Sequence, residues 1–151
     1  MPKIEVTAVP VRTGSGYPAP FAERVSQRAR QALGDAGGLT DFGINLARLS
    51  PGAWSSQRHW HTCEDEFAYV LSGELVLITE AGEQLLHAGD CAAFPKNTPD
   101  GHQLINRGTE MAVYLEIGSR SADDICSYPD IDLHLNPVTG GYTHKDGTKY
   151  P

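Results

Sequence analysis

Apolar and polar residues alternate in short bursts along this chain, and the bursts are β-branched or aromatic. Such runs stand at Ile4–Ala8, Ile44–Leu49, Ser55–His61, Glu66–Leu71, Glu74–Thr79, Gln84–His87, Cys91–Phe94, His102–Asn106 and Met111–Ile117. Each is short enough for a strand and too short for a typical helix. Turn residues separate them, at the spacing of about 8–12 residues that marks an all-β sandwich or barrel. Ser72-Gly73 and Ala81-Gly82 suit tight hairpins, where glycine supplies positive φ. Ala88-Gly89-Asp90 and the stretch from Pro95 to Gly101 read as loops.

One segment departs from this pattern. Ala22 to Leu33 is rich in Ala, Arg and Gln, and Gly34 follows it. It is either a short helix capped by that glycine or an extended segment along the barrel edge. From Gly118 onward the chain is polar and loop-rich, dotted with aromatics, and too short for a second domain. The expected organisation is an N-terminal extension over 1–40, a barrel over 41–118 and an arm over 119–151, with the arm lying on the barrel or on a neighbouring chain. Tyr128, Tyr142 and Tyr150 are placed to pin that arm down.

Composition narrows the function classes. The 151 residues suffice for one core, and 40% of them are apolar. A net charge of −7 with no basic run argues against a nucleic-acid partner. No apolar stretch is long enough to span a bilayer, and the start MPKIEVTAVP has no secretion-signal core, so a cytoplasmic protein without a membrane partner is expected. Cys63, Cys91 and Cys126 are an odd set without CxxC spacing, which fits reduced thiols.

The chemistry concentrates in RHWHTCEDEF, residues 58 to 67. On a strand, residues i and i+2 share a face about 6.5–7 Å apart. His59 and His61 then project together, and a turn through Thr62–Asp65 brings Glu66 back against them. Imidazole nitrogens and a carboxylate oxygen arranged so converge on one ion at about 2.0–2.2 Å. Beyond Glu66 the smaller Ala68 and Val70 share its face, leaving room in a lumen. The bland alternative makes the two histidines a solvent face with Trp60 as the core residue. Asp65 is the substitute ligand if the hairpin is shorter by one. Cys63 either lines the pocket or is a turn residue. His87 reads as structural, and His134 and His144 as solvated. Arg48, on the otherwise apolar face of its strand, is the candidate for binding a substrate carboxylate or phosphate.

Gly52-x6-His59-x-His61-x4-Glu66-x6-Gly73 resembles the first motif of the cupin superfamily, and Gly89-x5-Pro95 with His102-x3-Asn106 resembles the second. The second departs from the family pattern: its loop, PKNTPDGH, is longer by two residues, with Asn97 where glycine is common. Asparagine tolerates the left-handed backbone such a position needs. The wider stretch, from LGDAGGLTDFG to SRSADDICSYPDIDL, resembles small single-domain bacterial cupins with a polar tail; a few of these are labelled sugar-phosphate isomerases.

The resemblance implies a double-stranded β-helix, or jelly-roll barrel, with His59, His61, Glu66 and His102 as ligands of one divalent transition metal: Fe, Mn, Ni, Zn or Cu. Such a site leaves positions for a bidentate hydroxy-ketone, diol or 2-oxo acid, with the ion as Lewis acid, or for dioxygen if the ion is iron. The expected function is a metal-dependent enzyme on a small oxygenated metabolite, isomerase-like or dioxygenase-like. The alternatives are a non-catalytic binding or sensing barrel and a structural barrel. Cupins commonly pair through their edges, so a homodimer is expected. No residue offers itself from sequence as the general base.

Overall fold

The computed structural model describes residues 3–138 and 140–151. Thirteen strands dominate it, with a single α-helical turn, α1, at Leu33–Ala36. In chain order the strands are β1 (Arg12–Thr13), β2 (Arg28–Ala32), β3 (Phe42–Leu49), β4 (Trp60–His61), β5 (Glu66–Ser72), β6 (Glu74–Thr79), β7 (Gly82–His87), β8 (Cys91–Phe94), β9 (Gln103–Ile105), β10 (Ala112–Ser119), β11 (Cys126–Tyr128), β12 (Leu133–Asn136) and β13 (Gly141–Thr143). All pairings are antiparallel. Six strands form one sheet in the order β1-β2-β3-β10-β5-β8, three form β7-β6-β9, and four form β13-β12-β11-β4.

The core lies between the first two sheets. Ala47, Leu49, Ala68, Val70, Ala112 and Tyr114 face inward from the six-stranded sheet and meet Leu75, Leu77, Leu86 and Leu104 from the three-stranded one. Every second residue of β3, β5 and β10 turns inward, as the pleat requires. Each fully buried leucine or valine removes enough apolar area to contribute about 1.5–3 kcal/mol. This is the jelly-roll architecture that the strand spacing and the motif resemblance predict.

Several elements differ from the sequence expectations. Ser72-Gly73 is no hairpin. β5 and β6 belong to opposing sheets, so Gly73, at φ +74, turns the chain from one layer to the other. The segment Ile4–Ala8 contains a 3-10 turn at Val6–Ala8 rather than a strand. Of the two readings of Ala22–Leu33 the helical one fails and the extended one holds: after a 3-10 turn at Glu23–Val25 the segment becomes β2, and Gly34 lies inside α1 instead of ending a helix. Sheet pairing against β3 overrides the helical composition, and β2 thus adds to the barrel wall. Most of Ser55–His61 also lacks strand pairing; only Trp60–His61 belongs to a sheet, with an isolated bridge at His59–His102.

The arm is more ordered than its composition implies. β11 pairs with β12 and with β4, and β12 pairs with β13. Tyr17, Phe21, Ile131, Leu135, Tyr142 and Tyr150 pack around buried Cys126, Tyr128 and Leu133 to form a second, smaller core. No described helix is long and apolar enough to cross a membrane.

Candidate metal centre and its cavity

Three imidazoles converge on one carboxylate oxygen. Glu66 Oε2 lies 2.8 Å from His102 Nε2, 3.4 Å from His61 Nε2 and 3.5 Å from His59 Nε2. The four residues anticipated from sequence therefore meet in space, but not by the expected route. β4 and β5 lie in different sheets, so Glu66 faces the histidines across a corner of the barrel and not from a hairpin partner. His102 arrives through its bridge to His59, each residue's backbone N–H donating to the other's carbonyl. Asn97 has φ +56, the left-handed conformation its side chain tolerates, and its N–H donates to the His61 carbonyl.

The far side of two rings is fixed. His59 Nδ1 lies 2.8 Å from the Gln57 carbonyl, which can only accept, so Nδ1 carries the proton and Nε2 is left facing Glu66. His61 Nδ1 lies 2.6 Å from Asp124 Oδ2 in the same way. Phe94 stacks on His102 at 3.6 Å between centroids with planes 4° apart. His102 Nδ1 is buried with no hydrogen-bond partner among the described residues.

Electrostatics bind the cluster together. Burial opposes charge on His59, yet the Glu66 carboxylate outweighs it and raises that ring above its usual value. On His102 burial prevails and the value falls. Burial alone would raise Glu66, but His102 and His59 beside it hold it well below the carboxylate range.

These residues fit a metal ion. Ligand atoms of His59, Glu66 and His102 lie within 4.8 Å of one another, His61 Nε2 lies 3.4 Å from the same Glu66 oxygen, two rings are oriented by outer acceptors, and the donor set suits divalent transition metals. Cys126 also brings its sulfur within 4.8 Å of donor atoms of His59 and His61. Cys63, by contrast, lies outside the cavity and hydrogen-bonds through its backbone to Asp124.

The cluster forms part of the wall of a cavity of about 280 Å3. The arm and the N-terminal segment contribute Tyr17, Tyr128 and Tyr142 to its lining. Arg48 is not part of its lining. It projects from the outer face of β3 and donates to Gln31 Oε1 at 2.9 Å, because inward positions on that strand alternate through Ala47 and Leu49. The cavity's arginines are Arg28 and Arg30 on β2, and it also holds Glu116 from β10. Glu116 Oε1 accepts from the buried Tyr114 hydroxyl at 2.6 Å, and Oε2 accepts from Arg30 at 3.3 Å and Asn45 at 3.4 Å. The sequence held a signal for Glu116: an acid in phase with Ala112 and Tyr114 on an otherwise apolar strand.

A family model for the cupin domain matches residues 45–118. Among solved structures, a sugar phosphate isomerase from a cupin superfamily of Silicibacter pomeroyi is 42% identical and superposes with a TM-score of 0.92, over 99% of this chain and 97% of that one. A protein from Acidithiobacillus ferrooxidans, assigned only provisionally as a sugar phosphate isomerase, is 37% identical with a TM-score of 0.72, over 78% of this chain and 74% of that one. A polyketide cyclase from Streptomyces resistomycificus, at 17% identity and TM-score 0.62 over 79% of each chain, shares the fold alone. No curated protein matches the chain.

Proposed function

The chain belongs to the cupin superfamily, and from that premise we propose that it is a metal-dependent isomerase of a small hydroxy-carbonyl metabolite. His59, His61, Glu66 and His102 would hold the ion. When bound, the ion supplies Lewis acidity that polarises a substrate carbonyl. The observation that carries the reading is a second carboxylate, Glu116, in the same cavity. Proton transfer between adjacent carbons requires such a group, whereas activation of dioxygen does not.

Glu116 removes the proton from the carbon that bears the hydroxyl group and returns it to the neighbouring carbonyl carbon. The hydroxyl proton passes to the former carbonyl oxygen, so the two isomers differ only in hydrogen positions and no oxidant is consumed. Tyr114, Asn45 and Arg30 hold the carboxylate in place through hydrogen bonds. The likeness to a sugar phosphate isomerase at 42% identity agrees with this chemistry.

The test is solvent deuterium uptake. Metal-loaded protein is incubated in heavy water with a panel of aldose and ketose phosphates, and carbon-bound deuterium is measured by mass spectrometry. Incorporation into one substrate, lost in Glu116→Gln, supports the reading. Oxygen consumption with catechols, thiols or diketones, without deuterium uptake, replaces it with an oxygenase. Retention of a ligand with neither activity replaces it with a binding protein.

A further inference from the structure

The inward-facing rows of the six-stranded sheet are ordered. Gly118 of β10 stands opposite Glu66, Glu116 opposite Ala68 and Asn45, and Tyr114 opposite Val70 and Ala47. Ala47 in turn stands opposite Arg30, and Leu49 opposite Arg28. Successive rows, about 6.5–7 Å apart, thus hold the metal-centre carboxylate, then Glu116, then Arg30, then Arg28.

Arg28 is 7% exposed, yet no carboxylate of the described residues forms an ion pair with it. Its guanidinium donates to the carbonyls of Ser55 and Gly14, and its Nε is buried without a partner. Burial, with Arg30 nearby, pulls its pKa below the ordinary arginine value. The carboxylate in this part of the cavity is Glu116, already shared by Arg30, Asn45 and Tyr114. Two guanidiniums therefore line this end of the cavity with Glu116 as the neighbouring carboxylate, Glu66 being held by the histidines, in a chain whose net charge is −7. A buried cation balanced only by carbonyls is costly, and an anion in the adjoining space offsets that cost.

We propose that Arg28 and Arg30 form an oxyanion subsite that takes the phosphate or carboxylate group at the far end of a short-chain substrate whose hydroxy-carbonyl end faces the metal centre. The inference rests on the isomerase reading for the orientation of the substrate. It adds a specificity requirement: neutral polyols and sugars lack the group that Arg28 and Arg30 bind.

The experiment is calorimetric titration of the full-length, metal-loaded protein with inorganic phosphate, acetate and glycerol as separate probes, with metal content measured on every sample. Saturable binding of phosphate or acetate, but not glycerol, is expected. Binding of phosphate alone identifies a phosphate-ended substrate, and binding of acetate alone a carboxylate-ended one. Arg28→Met and Arg30→Met should each weaken the bound anion by about tenfold or more with metal content unchanged. Should Arg28→Met fail to fold, Arg30→Met decides, because Arg30 is 38% exposed and its recorded ion pair is with Glu116 alone. Anion binding that both variants retain places the anion on the metal, overturning the subsite while leaving the metal reading intact. Absence of saturable binding in the parent protein also overturns it. Arginine-dependent anion binding in a protein that takes up no metal on loading upholds the subsite and removes the metal-dependent isomerase reading.

Discussion

His61 Nδ1 lies 2.6 Å from Oδ2 of Asp124, a residue 63 positions further along the chain. The carboxylate orients the ring, and its other oxygen accepts the Cys63 N–H at 2.7 Å. Outer partners of this kind change metal affinity by about 10–100-fold. Asp124→Asn should therefore weaken metal binding within that range while the fold persists. Competition against a graded series of chelators measures it, and an unchanged affinity would show the contact to be structural only.

Removing an inner donor should act more severely. His61→Ala takes away a nitrogen 3.4 Å from Glu66 Oε2, and the purified variant should retain little metal. His87→Ala, at an exposed position away from the cavity, should keep the parent's content. Equal metal in the two variants by elemental analysis would refute the assigned ligand set.

Glu116→Gln separates chemistry from assembly. Glutamine keeps an acceptor for Tyr114 but cannot take a proton, so turnover should fall by about 100-fold or more. Metal content and melting temperature should change little by comparison. Turnover near the parent's value would assign proton transfer to another group.

The arm should loosen in acid. Arg58 grips Asp130 through two bonds of 2.7 Å, and those bonds hold the carboxyl below its ordinary 3.8. The folded chain thus binds this proton less readily than the unfolded one. The stabilisation is complete above the ordinary value and is lost as pH falls through the lower folded value. The gap in melting temperature between the parent and Asp130→Asn should shrink from about pH 5 to about pH 3. A gap constant across that range would rule out the pair as its source.

Two glycines of the first motif should differ in their tolerance. A Cβ at Gly73 would stand 2.8 Å from the Met111 carbonyl oxygen and 2.9 Å from Ala112 Cα, in a backbone at φ +74. At Gly52, φ +85, nothing lies within 4 Å. Gly52→Ala should cost about 1–2 kcal/mol from backbone strain alone, and Gly73→Ala should cost more because backbone must also move. Urea unfolding that ranks them in the opposite order would refute the packing argument.

The strand pattern made the barrel legible, and the spacing within one motif brought His59, His61 and Glu66 together, since alternation and turn residues are local signals; His102 followed only from the family resemblance. Partners brought together by tertiary pairing were not legible. Asp124 reaches His61 only because β11 pairs with β4, and no local period announces that. Arg28 and Arg30 were hidden because the composition of Ala22–Leu33 suits a helix as well as a strand, until pairing with β3 decides it. Arg48 drew notice on an apolar strand, yet alternation on β3 turns it outward. Cys63 sits inside the motif, but Cys126, far from it in sequence, is the thiol in the cavity wall.

The ladder between β4 and β11 has a practical reach. The strand bearing His61 leans on residues from the last quarter of the polypeptide, with Cys126 opposite His61 and Ser127 opposite Trp60. A protease nick or a gene truncation just beyond Arg120 would remove that brace together with Asp124. What looks like a dispensable trailing segment is thus part of the cavity wall, and shortening the chain from its far end would strip away the side chains that line that wall.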